Sequence, residues 1–285
     1  MKEFYQAEEV LPKVYRIGSG ENVFEFLFVG EQRALLFDTG FGFGDLAGRV
    51  REITDLPLYI VNSHGHLDHV CGNFQFQEQI YISAKDIELC KEHNSKEMRR
   101  DAIEGAKHTL DYQTNLISNI LPEDFDEESY VNQGSGNLVP MEDGHIFGLG
   151  NMTLISYEFP GHTQGSMGLY YQQERVLFTG DAMNAFLWLF APEATDLATY
   201  KKSLAKAKNL ELDKVGFSHN PFLAPATILD DFIDCAEHVE YEKGFPFEVP
   251  YHKELEPRIC PREGYGPMDM RKPGFASIVI SKSHL

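Results

Sequence analysis

The sequence predicts an α/β fold, and three observations carry that expectation. Residues 14–17, 24–29 and 34–37 are short runs rich in branched and aromatic side chains, parted by Gly18-Ser19-Gly20 and Gly30-Glu31 turns. Residues 45–54 and 197–210 read as amphipathic helices, and residues 226–243 as a final long helix. Leu58-Tyr59-Ile60-Val61 is an apolar, partly β-branched run with the length of a buried strand. A chain of 285 residues buries a sizeable core as one large domain or two modest ones. The expectation here is a single domain over 1–285.

Taken in order, the first three strands form an antiparallel opening that ends in Asp38-Thr39-Gly40 and a glycine-rich bend through Gly44. Asp38 stands at a strand end, where catalytic loops gather; a turn or helix-cap role competes with that reading. The helix at 45–54 leads to the strand at 58–61, and then comes V-N-S-H-G-H-L-D-H-V-C-G, from Val61 to Gly72. His64, His66, Asp68 and His69 fall within six positions. Protonated imidazoles so crowded repel one another, and neutral ones need hydrogen-bond partners. A cation resolves the conflict, because neutral imidazole nitrogen and carboxylate oxygen are ligands for zinc and its neighbours. In an extended loop, residues two apart face the same way, so His64 and His66 can share one ion. Asp68 and His69 diverge from that pair unless the chain turns. Four donors that cannot meet at one point suggest two metals.

Beyond this loop, Ser83-Ala84-Lys85-Asp86 is a helix-start signature, and charge-rich helical sequence runs on to about Leu121. Pro122 and the acidic run 123–128 break it, so 86–130 is expected as a helical insertion on the surface. His93 and His108 within it read as ordinary surface histidines. Asp143-Gly144 makes a hairpin turn, and 146–155 returns to strand. A loop, Pro160-Gly161-His162-Thr163-Gln164-Gly165-Ser166, precedes a hairpin that ends in Phe178-Thr179-Gly180-Asp181. The apolar stretch after it, 182–190, holds the only Trp and is expected as a loop, either a substrate-pocket wall or packing against core or partner. A short strand at 215–217 leads into Ser218-His219, and six prolines punctuate an extended tail over 244–285 that ends in a strand.

Composition narrows the function. A net charge of −19 repels polyanions, which argues against nucleic acid as a partner. The N-terminal stretch has no apolar core of signal-peptide length, and the longest apolar run is too short to span a bilayer. Cys71, Cys90, Cys235 and Cys260 lack paired short spacing, so reduced thiols and a cytoplasmic location are expected. Cys71 reads as a buried small side chain, with metal ligation the lesser alternative. The chain has no G-x-S-x-G elbow to support a serine nucleophile.

H-x-H-x-D-H, then G-H-T, then T-G-D, then a final His after a strand resembles the metallo-β-lactamase superfamily, in motif types and in their order. That resemblance implies a four-layer αββα sandwich of two similar halves. A weak internal echo between residues 33–40 and 175–181 fits such a plan. It assigns His64, His66 and His162 to one metal and Asp68, His69 and His219 to the other, with Asp181 bridging. Asp38 becomes a support of the site, not a ligand. Two zinc ions are the family's commonest occupants; the N/O donor set also admits iron or manganese. The implied activity is hydrolysis of an ester, thioester or lactone small molecule by a metal-bridging hydroxide, with Asp68 as the catalytic carboxylate that orients it. The alternatives are an iron-dependent sulfur oxidoreductase of the persulfide-dioxygenase kind, or a phosphodiesterase acting on a small substrate.

Overall fold

The computed structural model describes residues 4–111, 116–249 and 253–285. Its secondary structure is mixed α/β, as expected. The chain divides into two compact units. The first takes the residues up to Met141 together with Ile146–Thr153 and Ser218–Pro221. The second takes Glu142–His145, Leu154–Phe217 and Phe222–Leu285. Among the described residues, no helix is long and apolar enough to cross a membrane.

In the first unit, β1 (Gln6–Leu11), β2 (Val14–Gly18), β3 (Phe24–Val29) and β4 (Ala34–Phe37) pair antiparallel in sequence order. The sheet then continues in parallel through β5 (Leu58–Val61) and β6 (Gln79–Ser83). After the hairpin β7 (Thr109–Asp111) and β8 (Leu116–Ser118), β9 (Asn137–Met141) adds parallel to β6. Parallel pairing needs crossovers, and helices supply them. Helix α1 (Leu46–Ile53) links β4 to β5; Asp45 caps it by accepting the Gly48 N–H at 2.8 Å. Its Leu46 and Val50 pack into a core with Leu27, Leu36, Ile60 and Ile80. Between β5 and β6 lies the four-residue helix α2 (Leu67–Val70). The C-terminal ends of β4, β5 and β6 therefore emit Asp38, the histidine loop and Asp86, the usual place for a site in a parallel sheet.

The insertion is only partly helical. Helices α3 (Ile87–His93), α4 (Lys96–Lys107) and α5 (Glu127–Val131) are present, but the β7–β8 hairpin stands where the sequence reads as continuing helix. Local strand pairing there overrides a helix reading that rested on charge content rather than on an apolar stripe. Nor is the segment merely solvated surface. Ala102, Ile103 and Ala106 join Phe43, Tyr130 and Val131 in a core, and Arg99 is fully buried. The Arg99 guanidinium donates to Cys71 O at 3.0 Å and Asn94 Oδ1 at 2.6 Å. A further strand of this unit, β10 (Ile146–Gly148), sets Phe147 against Tyr59 and Tyr81.

In the second unit, β11 (Thr153–Glu158), β12 (Met167–Tyr171) and β13 (Val176–Phe178) form an antiparallel meander. Beyond β13 the apolar stretch after Asp181 is a strand, β14 (Phe186–Leu189), not a loop. Its period-two alternation buries Leu187 and Leu189 in the main core and leaves Phe186 and Trp188 half-buried on the other face. Helix α6 (Leu197–Lys208) leads to β15 (Lys214–Gly216), which pairs parallel with β13 and antiparallel with β16 (Ala224–Pro225). Helix α7 (Ile228–Glu237) ends before the expected 243, since a separate 3₁₀ turn takes Tyr241–Lys243. The region from 244 contributes β17 (Phe245–Pro246), β18 (Arg258–Pro261) and β19 (Ser277–Ile280). These join β14 in a four-stranded sheet ordered β14-β19-β18-β17. Among the described residues, the prolines of this region sit at strand ends or in connections, where a missing N–H costs no ladder bond, and Pro250 lies outside the described residues.

Candidate metal centre

The first unit gathers five of the seven candidate ligands around one buried carboxylate, Asp38. This residue ends β4 with φ at 66°, a left-handed conformation that Asp tolerates better than most side chains. Fully buried, it accepts from Ser63 N at 2.7 Å and from Ser63 Oγ at 2.8 Å. It also lies 2.9 Å from His69 Nδ1 and accepts from Ser218 Oγ at 3.5 Å. A carboxylate in this role only accepts, so His69 carries its proton on Nδ1 and presents an Nε2 lone pair.

The same reasoning propagates to His64. Ser63 has one hydroxyl proton and gives it to Asp38, so at 2.9 Å its oxygen accepts from His64 Nδ1–H. His64 Nε2 is thereby a lone-pair donor to a cation, and His66 Nδ1 lies 3.1 Å from it. The expected pairing of these two imidazoles is therefore present. The chain then turns: His66 precedes α2, and Asp68 and His69 occupy the helical turn. That turn brings the rings of His64 and His69 to 4.2 Å between centroids.

His219 comes from much later in the chain and is tied to the same unit at three points. Phe24 N donates to Ser218 O at 2.8 Å, Ser218 Oγ reaches Asp38, and His219 Nδ1 donates to Asn22 O at 3.1 Å. Its Nε2 and that of His69 each lie 3.4 Å from Asp68 Oδ2. Donor atoms of Asp68, His69 and His219 all fall within 4.8 Å of one another. Lone pairs facing a carboxylate oxygen make a site that needs positive charge at its centre. Burial works to raise the Asp68 carboxyl, yet positive charge on the His69 and His219 rings, where a bound cation would supply it instead, holds it well below the usual carboxylate range.

Packing beneath the loop is polar and fully connected. The His69 carbonyl accepts from Thr39 Oγ1 at 3.1 Å and Asn62 Nδ2 at 3.2 Å, and Asn73 links the two donors. Gly72 makes the close approach feasible: a Cβ there would lie 2.1 Å from Thr39 O.

In the second unit, His162 and Asp181 lie together. His162 Nδ1 donates to Trp188 O at 2.9 Å, and its Nε2 lies 3.9 Å from Asp181 Oδ2. The loop that holds His162 is braced by Ser166 Oγ, which accepts from Thr163 N at 3.0 Å. Asp181 leaves the end of β13 after Gly180, whose φ is 55°.

Cys71 does not present a thiolate. Its thiol donates to His93 O at 3.4 Å, and burial pushes it up to about 11. His93, in contrast, is not the ordinary surface histidine its sequence context suggests. It is half-buried, its ring lies 4.9 Å from that of His66, and its Nδ1 accepts the Leu67 N–H at 3.1 Å. Asp86 belongs to a helix-start signature that does not reveal its bond to the histidine loop, and no local pattern marks Ser63 or His93 as supports of the site.

Comparison with known proteins identifies the family. The family model described as metallo-beta-lactamase superfamily matches residues 20–219. The acyl-coenzyme A thioesterase MBLAC2 of Gallus gallus is 25% identical over 190 residues, covering 60% of this chain and 60% of that protein. The chain thus spans about three fifths of the length of the curated relative it matches. Among solved structures, a metallo-beta-lactamase from Pontibacter korlensis aligns with a TM-score of 0.57 and 16% identity, over 82% of this chain and 99% of that one. The sec-alkylsulfatase Pisa1 from Pseudomonas sp. aligns with a TM-score of 0.61 and 16% identity, over 82% of this chain and 42% of that one. At that identity the likeness shows the fold alone.

Proposed function

The chain belongs to the metallo-β-lactamase superfamily, and on that premise we propose that it is a dinuclear metal-dependent hydrolase of ester-type acyl bonds, thioesters foremost. The observation that carries this reading is the tautomer of four imidazoles. In His64, His69, His162 and His219 the Nδ1–H has a fixed oxygen acceptor, so each Nε2 is left as a lone pair. The exposed His108 and His238 also place Nδ1 on a carbonyl, at 2.9 Å each. What sets the site histidines apart is that their Nε2 atoms face other donors, His66 Nδ1 at 3.1 Å for His64 and Asp68 Oδ2 at 3.4 Å for both His69 and His219.

His64, His66 and His162 would hold one cation, and Asp68, His69 and His219 the other, with Asp181 shared. This all-N/O set fits zinc and also admits iron or manganese. Two bound cations supply Lewis acidity and lower the pKa of a water from 15.7 toward about 7. Asp68 has a second oxygen with which to orient that water and carry its proton to the departing thiol or alcohol. The half-buried face of β14 offers the acyl part an apolar surface: Trp188 and Phe186 pack on Phe247 at 5.6 and 5.9 Å. Trp188 is also the residue whose carbonyl holds His162. The relatives named as acyl-coenzyme A thioesterases favour thioesters within the ester class. The −19 charge disfavours nucleic acid as a substrate, and four cysteines without disulfides suit a reducing, cytoplasmic setting.

Purified protein is expected to carry about two metal equivalents, and chelation is expected to abolish hydrolysis of acyl thioesters. Metal-replete protein inert toward thioesters, esters and lactones would overturn the proposal. Oxygen uptake on a persulfide by an iron-loaded form would replace it.

A further inference from the structure

The short helix α3 touches the metal loop at both of its ends. Asp86, immediately before α3, is nearly fully buried, and its Oδ2 accepts the Gly65 N–H at 3.0 Å. It occupies the N-cap position of α3 yet makes no side-chain bond to that helix's own first turn. A residue that ordinarily satisfies its own helix is directed outward instead. At the other end, His93 is the last residue of α3, and its Nδ1 accepts the Leu67 N–H at 3.1 Å. Gly65 and Leu67 flank His66, so the two peptide N–H groups on either side of this candidate ligand are both held by α3. The His93 ring also lies along the His66 ring, 4.9 Å away and tilted by 30°.

The contact is close along its length. A Cβ on Gly65 would meet Cys90 N at 2.8 Å and Asp86 O at 3.0 Å, so only glycine lets the loop sit on the helix. Helix α2 has four residues and its preceding residue His66 gives it no side-chain cap. So short a helix cannot hold its own start, because nucleation is unfavourable and its first N–H groups are orphaned. His93 satisfies the first of those groups from outside.

We propose that α3 is a two-point clamp on His66, with Asp86 and His93 as positioning residues for the cation that His64, His66 and His162 would hold. This rests on the metal assignment above. The hydrogen bonds orient His66 by fixing the His64–Gly65 and His66–Leu67 peptides on either side of it; neither Asp86 nor His93 is assigned as a ligand in this arrangement. Partners of this kind typically govern metal affinity by about 10–100-fold.

Four variants separate the hydrogen bonds from mere packing. His93→Leu keeps bulk without an acceptor, and His93→Asn keeps an acceptor without the ring; Asp86→Ala and Asp86→Asn make the matching pair. The readouts are metal content and chelator-competition affinity for zinc, with melting temperature as the control for folding. His93→Leu and Asp86→Ala are each expected to weaken one of the two cations by about 10–100-fold and leave the other in place. Both Asn variants are expected to stay close to wild type. Either acceptor-less variant decides the matter alone should the other fail to fold. Zinc affinity unchanged at both sites, or Asn variants as weak as those lacking an acceptor, overturns the clamp. Wild-type protein that takes up no zinc overturns the metal assignment itself, a distinguishable result.

Discussion

His64 and His69 are anchored by side chains, whereas His162 and His219 are anchored by main-chain carbonyls. Ser63 and Asp38 set the first pair; Trp188 O and Asn22 O set the second. Both devices place the proton on Nδ1 and leave Nε2 for a cation. They differ in what a mutation can reach. A side-chain anchor vanishes with one substitution, but a carbonyl persists whatever residue carries it, provided the backbone keeps its path.

Asp38→Ala is the sharpest test of that contrast. It strips the acceptor from Ser63 N, Ser63 Oγ and His69 Nδ1 together, all buried. Breaking a buried charged network of this kind costs about 3–5 kcal/mol, so a large fall in melting temperature is expected, with weakened metal binding in any protein that still folds. A variant with wild-type metal affinity and stability would remove Asp38 from the centre of the first unit.

A second effect, of intermediate size, separates acidic groups that serve the site from those that only burden the fold. Burial, the main cause, pushes the Glu21 carboxyl from 4.5 up to about 8; Asp68 adds to the rise and Ser19 opposes it. Burial, with the Glu21 charge adding to it, likewise holds Glu25 well above its ordinary range. Because the folded-state pKa is raised, Glu21 favours the fold most below its unfolded value. That contribution is lost as pH rises through about 8. The slope from this one group is about 1.4 kcal/mol per pH unit across the window. Melting temperatures between pH 6 and 9 should therefore fall more steeply for wild type than for Glu21→Gln. Parallel curves would show that Glu21 titrates normally.

The smallest effect is expected at Trp188. Trp188→Phe leaves the carbonyl that holds His162 in place, so metal affinity should change by no more than about twofold. A large loss of metal would show that the ring, not the peptide, positions His162, and the contrast between the two kinds of anchor would fail.

The candidate donor residues were legible because metal ligation constrains residue type and local spacing. H-x-H-x-D-H after an apolar strand needs no tertiary knowledge, and the strands at 24–29, 34–37 and 58–61 appear where their composition places them. What escaped the reading was decided by pairing between distant segments. β14 reads as an apolar loop because its partner, β19, lies some ninety residues later. The prolines around β17 and β18 conceal a sheet, because a sequence window does not reveal which strand edges go unpaired. His93 looks ordinary because nothing near it in sequence shows that a loop some twenty-six residues earlier needs an acceptor.

By itself the sequence determined which atoms are available: imidazole nitrogens and carboxylate oxygens in an order that resembles one superfamily. Only the tertiary structure decided which nitrogen of each imidazole is left to bind. A ring's tautomer depends on the acceptor opposite its Nδ1, and those acceptors are Asp38, Asn22 O and Trp188 O for His69, His219 and His162. Each lies more than twenty residues from the histidine it sets, so folding alone brings the pair within hydrogen-bond reach.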